Sequence, residues 1–306
     1  MLTAVRLGGY LGALGVVFGV AWGAGSAVAP APAPEQEEVH EEPALPLQGA
    51  GTRTADGLAS AGDGVALAPA RIAFVADRTA DLAFTVTGPD RRPLTAFTPG
   101  PDGVPLRLVV VRRDGTGLQL LYPAMAPDGT WSVPLRLPTA GAWRALAEFT
   151  PAGAAPQVLG TDLFVPGDFT PVGSAPTRAA EVDDYQVRLD GELRAGEESA
   201  LFATVSRDGR AVTDLEPERG AFGTVVALRS GDLAVAPVVA QTRAAPTDRS
   251  GPGIAFTATL PTEGTYRVFL VFRHAGELHT AAFTVATTGA SGAPREPVPM
   301  PMGGDR

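Results

Sequence analysis

From Arg71 onward the chain alternates short apolar runs with turn residues. In DLAFTVTG, Leu82, Phe84 and Val86 recur at every second position, the period of a strand with one covered face. LRLVVVRR (106–113), GTWSVPLRL (129–137), GAWRALAEF (141–149) and DLFV (162–165) continue the series. A second series follows: YQVRLDG (185–191), SALFATVSRDG (199–209), GTVVALRSGD (223–232), IAFTATL (254–260), TYRVFLVF (265–272) and AAFTV (281–285). Runs this short, punctuated this often, predict half-buried antiparallel strands packed as sandwiches. The largest apolar side chains on them, Trp131, Trp143, Phe256, Tyr266 and Phe272, are the expected core anchors.

The two series repeat each other. LPTAGAWRALAEFTPAG (137–153) aligns without a gap on LPTEGTYRVFLVFRHAG (260–276), with Trp143 matched to Tyr266. Upstream, LRLVVVRR matches GTVVALR and sets Arg112 against Arg229. One domain of about 100 residues, duplicated, accounts for this and is large enough to bury its own core. The expected fold is all-β: two tandem immunoglobulin-like antiparallel β-sandwich domains at 70–167 and 184–287. Residues 168–183 read as a linker and 288–306 as a Gly/Pro-rich, disordered tail.

The N-terminal part has a different pattern. Leu7 to Ala29 carries no charge and is long enough to cross a bilayer core of ~30 Å as a helix. Arg6 precedes it and Glu35, Glu37, Glu38, Glu41 and Glu42 follow, which keeps residues 1–6 in the cytoplasm and sends the rest outside. The same stretch also reads as a signal peptide cleaved after Ala27-Val28-Ala29, giving a secreted protein. Gly15, Gly19 and Gly23 recur at four-residue spacing, compatible with a helix-mediated homodimer. Residues 30–69 open with PAPAPEQEEVHEEP and read as an acidic, extended, disordered tether.

Composition narrows the chemistry. The chain has no Cys, which excludes disulfides, thiolate metal sites and a cysteine nucleophile. It has no Lys either, so Schiff-base chemistry and a P-loop lysine are excluded. A net charge of −9 argues against nucleic acid as a partner. No GxSxG, GxGxxG, HExxH or EF-hand pattern is present, and no catalytic residue or cofactor is expected. Asp168, Asp183 and Asp184 lack calcium-loop spacing. The one candidate cluster is RHAGELH (273–279), read as a hairpin turning around Ala275–Leu278. That register sets His274 directly opposite His279, close enough to share a metal ion, with Glu277 as the only nearby third ligand.

In LVVVRRDGTGLQLLYPAMAPDGTWSVPL and GAFGTVVALRSGDLA the chain resembles a group of membrane-anchored, exported proteins of high-G+C bacteria. These carry two such repeats and are described as hypothetical, secreted or heavy-metal-binding. The resemblance covers roughly residues 1–290 and implies metal binding by histidines in these strands, including a His-x-His-Pro element in each repeat. Here those positions read Arg107, Leu120 and Tyr122, then Thr224, Pro237 and Val239, with only His279 retained. Leucine, valine and arginine do not ligate transition metals. The expectation is therefore an extracytoplasmic binding or scaffold protein without catalytic activity, with an unidentified protein or ligand as its partner. A copper-binding or copper-delivery protein is the alternative.

Overall fold

The structure, a computed structural model, describes residues 56–289. The apolar N-terminal segment, its glycine stripe, most of the acidic tether and nearly all of the tail lie outside these residues. Among the described residues the chain is all-β, and no helix is long and apolar enough to cross a membrane.

The first half contributes β1 (Ala61–Gly62), β2 (Val65–Pro69), β3 (Thr79–Thr87), β4 (Leu106–Arg112) and β5 (Gln119–Leu121). It continues with β6 (Ala124–Met125), β7 (Thr130–Arg136), β8 (Gly141–Phe149) and β9 (Gln157–Val165). The second half contributes β10 (Ala179–Val182), β11 (Tyr185–Asp190), β12 (Glu198–Arg207), β13 (Arg210–Ala211) and β14 (Gly223–Arg229). Then come β15 (Val235–Ala236), β16 (Val238–Ala240), β17 (Gly253–Thr259), β18 (Thr265–His274) and β19 (Glu277–Ala286).

In order across each sheet, β1-β2-β3-β7-β6 form the first and β5-β4-β8-β9 the second. The third is β10-β11-β12-β17-β16, with β13 beside β12, and the fourth is β15-β14-β18-β19. The strands named as neighbours pair antiparallel throughout.

A core fills the space between the first and second sheets, where Leu82, Phe84 and Trp131 meet Leu108, Trp143 and Leu163. A second core lies between the third and fourth sheets, where Val187, Leu201 and Phe256 meet Tyr266, Phe272 and Phe283. All five expected anchors, Trp131, Trp143, Phe256, Tyr266 and Phe272, are at most 1% exposed.

Two boundaries differ from the sequence reading. Strands β1 and β2 fall inside the stretch assigned to the tether, and β10 falls inside the linker. VALAP of β2 turns Val65 and Leu67 inward against β3, but two apolar side chains in an Ala/Gly-rich stretch give too short a pattern to stand out. In β10, AAEV turns only Ala180 and Val182 toward the second core.

The duplication is visible in hydrogen bonds. Trp143 donates its indole N–H to the Thr139 carbonyl at 3.1 Å, and Tyr266 donates its hydroxyl to the Thr262 carbonyl at 3.0 Å. Beside each aromatic, an arginine bonds the same threonine's hydroxyl and pairs with an aspartate: Arg112 with Thr139 and Asp114, Arg229 with Thr262 and Asp232. Desolvation alone would raise the Asp114 carboxyl. Hydrogen bonds from Arg112, the Val172 amide and Thr116 outweigh it and hold the group down at about 2. A folded-state pKa below the unfolded value stabilises the fold above about pH 4, and that share is lost as pH falls toward 2. Asp114→Asn is accordingly expected to be less stable than the parent at neutral pH and to show a shallower loss of stability between these two pH values. Denaturant unfolding at a series of pH values, followed by tryptophan fluorescence, checks this.

A third apolar cluster joins the halves. Val109 and Val111 of β4, Leu146 of β8, Val226 and Leu228 of β14, and Phe269 of β18 pack together with Leu233, each at most 2% exposed. These residues point away from the two sandwich cores, so the second and fourth sheets are covered on both faces. The repeat alignment matches Val109 to Val226, Val111 to Leu228 and Leu146 to Phe269, so both halves bring the same patch to the contact. Arginines tie its margins: Arg113 Nη1 donates to the Asp232 carbonyl at 3.2 Å and Arg267 Nε to the Gly115 carbonyl at 3.0 Å.

The chain leading into β1 seals the same junction. Arg144 donates to the Gly57 and Leu58 carbonyls, and the Val235 amide donates to the Asp56 carbonyl at 2.8 Å. This route requires a glycine at 160, because a Cβ there would sit 2.1 Å from the Gly57 carbonyl oxygen.

Candidate functional site

The histidine hairpin differs in register from its sequence reading. Strands β18 and β19 are joined by Ala275 and Gly276 alone, with φ of 52° and 80°. Both central residues are left-handed, the type I′ geometry that suits the twist of a hairpin and favours glycine at the second position. His274 therefore pairs with Glu277, and His279 pairs with Phe272. The two imidazoles are not opposed. Gly276 carried the signal, since centring the turn on Ala275–Gly276 gives this register.

Both rings nevertheless reach the same aromatic. Tyr185, at the start of β11, is 3% exposed, and its hydroxyl lies 2.7 Å from His274 Nδ1. His274 Nε2 is 3.0 Å from Asp214 Oδ1, so both nitrogens of this ring are engaged. His279 is 6% exposed and lies between Tyr185 and Phe272, with ring centroids 4.4 and 5.2 Å away. Its Nδ1 is 2.6 Å from Asp183 Oδ2, while its Nε2 is buried without a partner. A carboxylate only accepts, so the proton of the neutral ring belongs on Nδ1 and Nε2 carries the bare lone pair. Arg207 closes the cluster, with its guanidinium 5.1 Å from the Tyr185 ring and a hydrogen bond to Asp184 at 3.0 Å.

A bare imidazole nitrogen oriented by a carboxylate is the form in which histidine binds metals. Among the described residues, however, no three His, Asp, Glu or Cys side chains gather as a metal site. Asp183 and Asp184 are held by His279 and Arg207, respectively.

The positions named by the family resemblance meet elsewhere. Arg107, Thr224 and Val239 line one cleft between the halves, and Arg107 Nε is bonded to Glu148 at 2.9 Å. Leu120 packs at the edge of the third cluster, and the Pro237 carbonyl accepts from the Thr259 amide at 3.0 Å. Tyr122 lies under the Arg219 guanidinium, 3.9 Å from ring centroid to Cζ. Sequence reasoning grouped these residues as lost ligands and missed the cleft, because no local pattern reports a gap between two halves.

Residues 180–289, nearly the span of β10 to β19, match a family model described as "Domain of unknown function (DUF8832)". No curated protein matches the chain. Among solved structures, the chain is similar to the Yersinia pseudotuberculosis adhesin InvE at 13% identity and a TM-score of 0.22, covering 72% of this chain and 58% of that one. It is similar to Y. pseudotuberculosis InvD at 12% identity and a TM-score of 0.24, covering 77% and 61%. The Escherichia coli adhesin FdeC gives 12% identity and a TM-score of 0.24, covering 76% and 65%. The chain thus spans about six-tenths of the first of these structures.

Proposed function

We propose that the chain is a non-catalytic binding or scaffold protein that presents two tandem immunoglobulin-like sandwiches outside the membrane. The observation that carries this reading is the third cluster. Burying Val109, Val111 and Leu146 against Val226, Leu228 and Phe269 makes one stiff body of two domains, which suits holding a surface in place. The uncharged segment at 7–29 and the acidic stretch after it supply export and either an anchor or a cleaved leader.

The second reading, copper binding or delivery, is favoured by one atom, the unpartnered Nε2 of His279. Metal titration separates the two. The full chain, titrated with copper(II) and zinc at about pH 7.5, where a free imidazole is mostly neutral, is expected to bind neither more tightly than about micromolar. Sub-micromolar binding that disappears in a His274→Ala/His279→Ala double variant would replace the scaffold reading with the metal one.

A further inference from the structure

The two halves carry different residues at positions where their spacing still runs in step. The register that matches Arg112 to Arg229 also matches Tyr122 to Val239 and Arg219 to Asp102. In the first half, Tyr122 fills its position under the Arg219 guanidinium. In the second, Val239 is 63% exposed on the wall of a cleft of about 380 Å³, large enough for a small ligand. Pro101, Asp102, Val158, Val238 and Arg243 line the same space. Arg243 Nη1 donates to the Pro101 carbonyl at 2.9 Å and so bridges the two halves at the cleft.

Two further features suit a peptide. β16 is the last strand of its sheet, and Ala240 faces Phe256 in β17 at a non-hydrogen-bonded position, so its N–H and C=O point to the open edge. Gln157, also on the cleft and 6% exposed, gives Nε2 to Asp63 while its Oε1 has no partner.

We infer that this cleft binds an aromatic side chain, Tyr or Trp, carried on an extended peptide that runs beside β16. The ring takes the room that Tyr122 fills in the other half, against apolar Val158 and Val239. Asp102, which stands where Arg219 stands for Tyr122, can accept from the phenol or indole hydrogen, and the Arg243 guanidinium lines the same wall. The peptide backbone pairs with the open edge at Ala240, the usual way an edge strand receives a partner. This inference rests on the binding reading above and names a seat for it.

The test uses the full chain and three probes: acetyl-Ala-Tyr-Ala-amide, its Trp counterpart and acetyl-Ala-Ala-Ala-amide. In methyl NMR titrations the two aromatic peptides are expected to shift Val158, Val238 and Val239 saturably at about millimolar, and the alanine peptide to bind at least about tenfold more weakly. Val239→Tyr fills the cleft from within and, being a surface change, should fold normally. It is expected to abolish the shifts at Val158 and Val238, while Ser132→Ala, on the outer face of the first sheet, leaves them unchanged. Equal binding of the alanine peptide, no saturable shift, or undiminished binding by Val239→Tyr would overturn the inference. A protein partner that binds Val239→Tyr as well as the parent would remove the cleft as its seat and leave the binding reading standing.

Discussion

Trp143→Ala is expected to cost ~3–5 kcal/mol of stability, read from urea unfolding. The indole is 1% exposed in the first core and donates to the Thr139 carbonyl at 3.1 Å. Gly117 passes so close over the ring that a Cβ there would lie 2.8 Å from Cη2. Truncation therefore leaves a cavity that two paired sheets cannot close, and it strips the Thr139 carbonyl of its donor. Trp143→Tyr is expected to cost less, because Tyr266 makes the equivalent bond to the Thr262 carbonyl in the other half. A loss under ~1 kcal/mol for the alanine variant would show that the side chain does not fill the core.

Leu146→Asp is expected to uncouple the halves. Leu146 is fully buried in the third cluster, on the opposite face of β8 from Trp143, Ala145 and Ala147, which belong to the first core. An aspartate there puts a charge among Val109, Val226 and Phe269. The Arg144 guanidinium two positions along β8 is already held by Asp162 and by the Gly57 and Leu58 carbonyls, so the contact opens rather than bury the charge. Each sandwich retains its own core. Calorimetry of the parent is expected to give one cooperative transition, and of the variant two separate ones, at a cost of ~3–5 kcal/mol in coupling. A single transition at the parental temperature would show that the cluster contributes nothing to coupling.

Much of the fold was legible because outer strands such as TADLAFTVT and TWSVPLR alternate strictly, and the repeat 137–153/260–276 declared the duplication. The contact between halves was written more quietly. LVVV in β4 and VFLVF in β18 are continuous apolar runs, the mark of strands covered on both faces, and they form the two inner sheets. Grouped with the alternating strands they pass as half-buried. The histidine site was legible in residue identity but not in register, where one position along the turn decides which side chains face each other. Tyr185 could not be placed beside it, because 89 residues separate it from His274 and only the packed sheets bring them together.

The claim that the two sandwiches form one body is tested most directly by a distance across it. The absence of cysteine makes labelling simple: Ser132→Cys on the outer face of the first sheet and Phe202→Cys on that of the third carry the only two spin labels. Pulsed electron resonance on the full chain is expected to give one narrow distance distribution, broadened when Leu146→Asp is added. A broad distribution in the parent would contradict the account, because it would mean that the halves move independently.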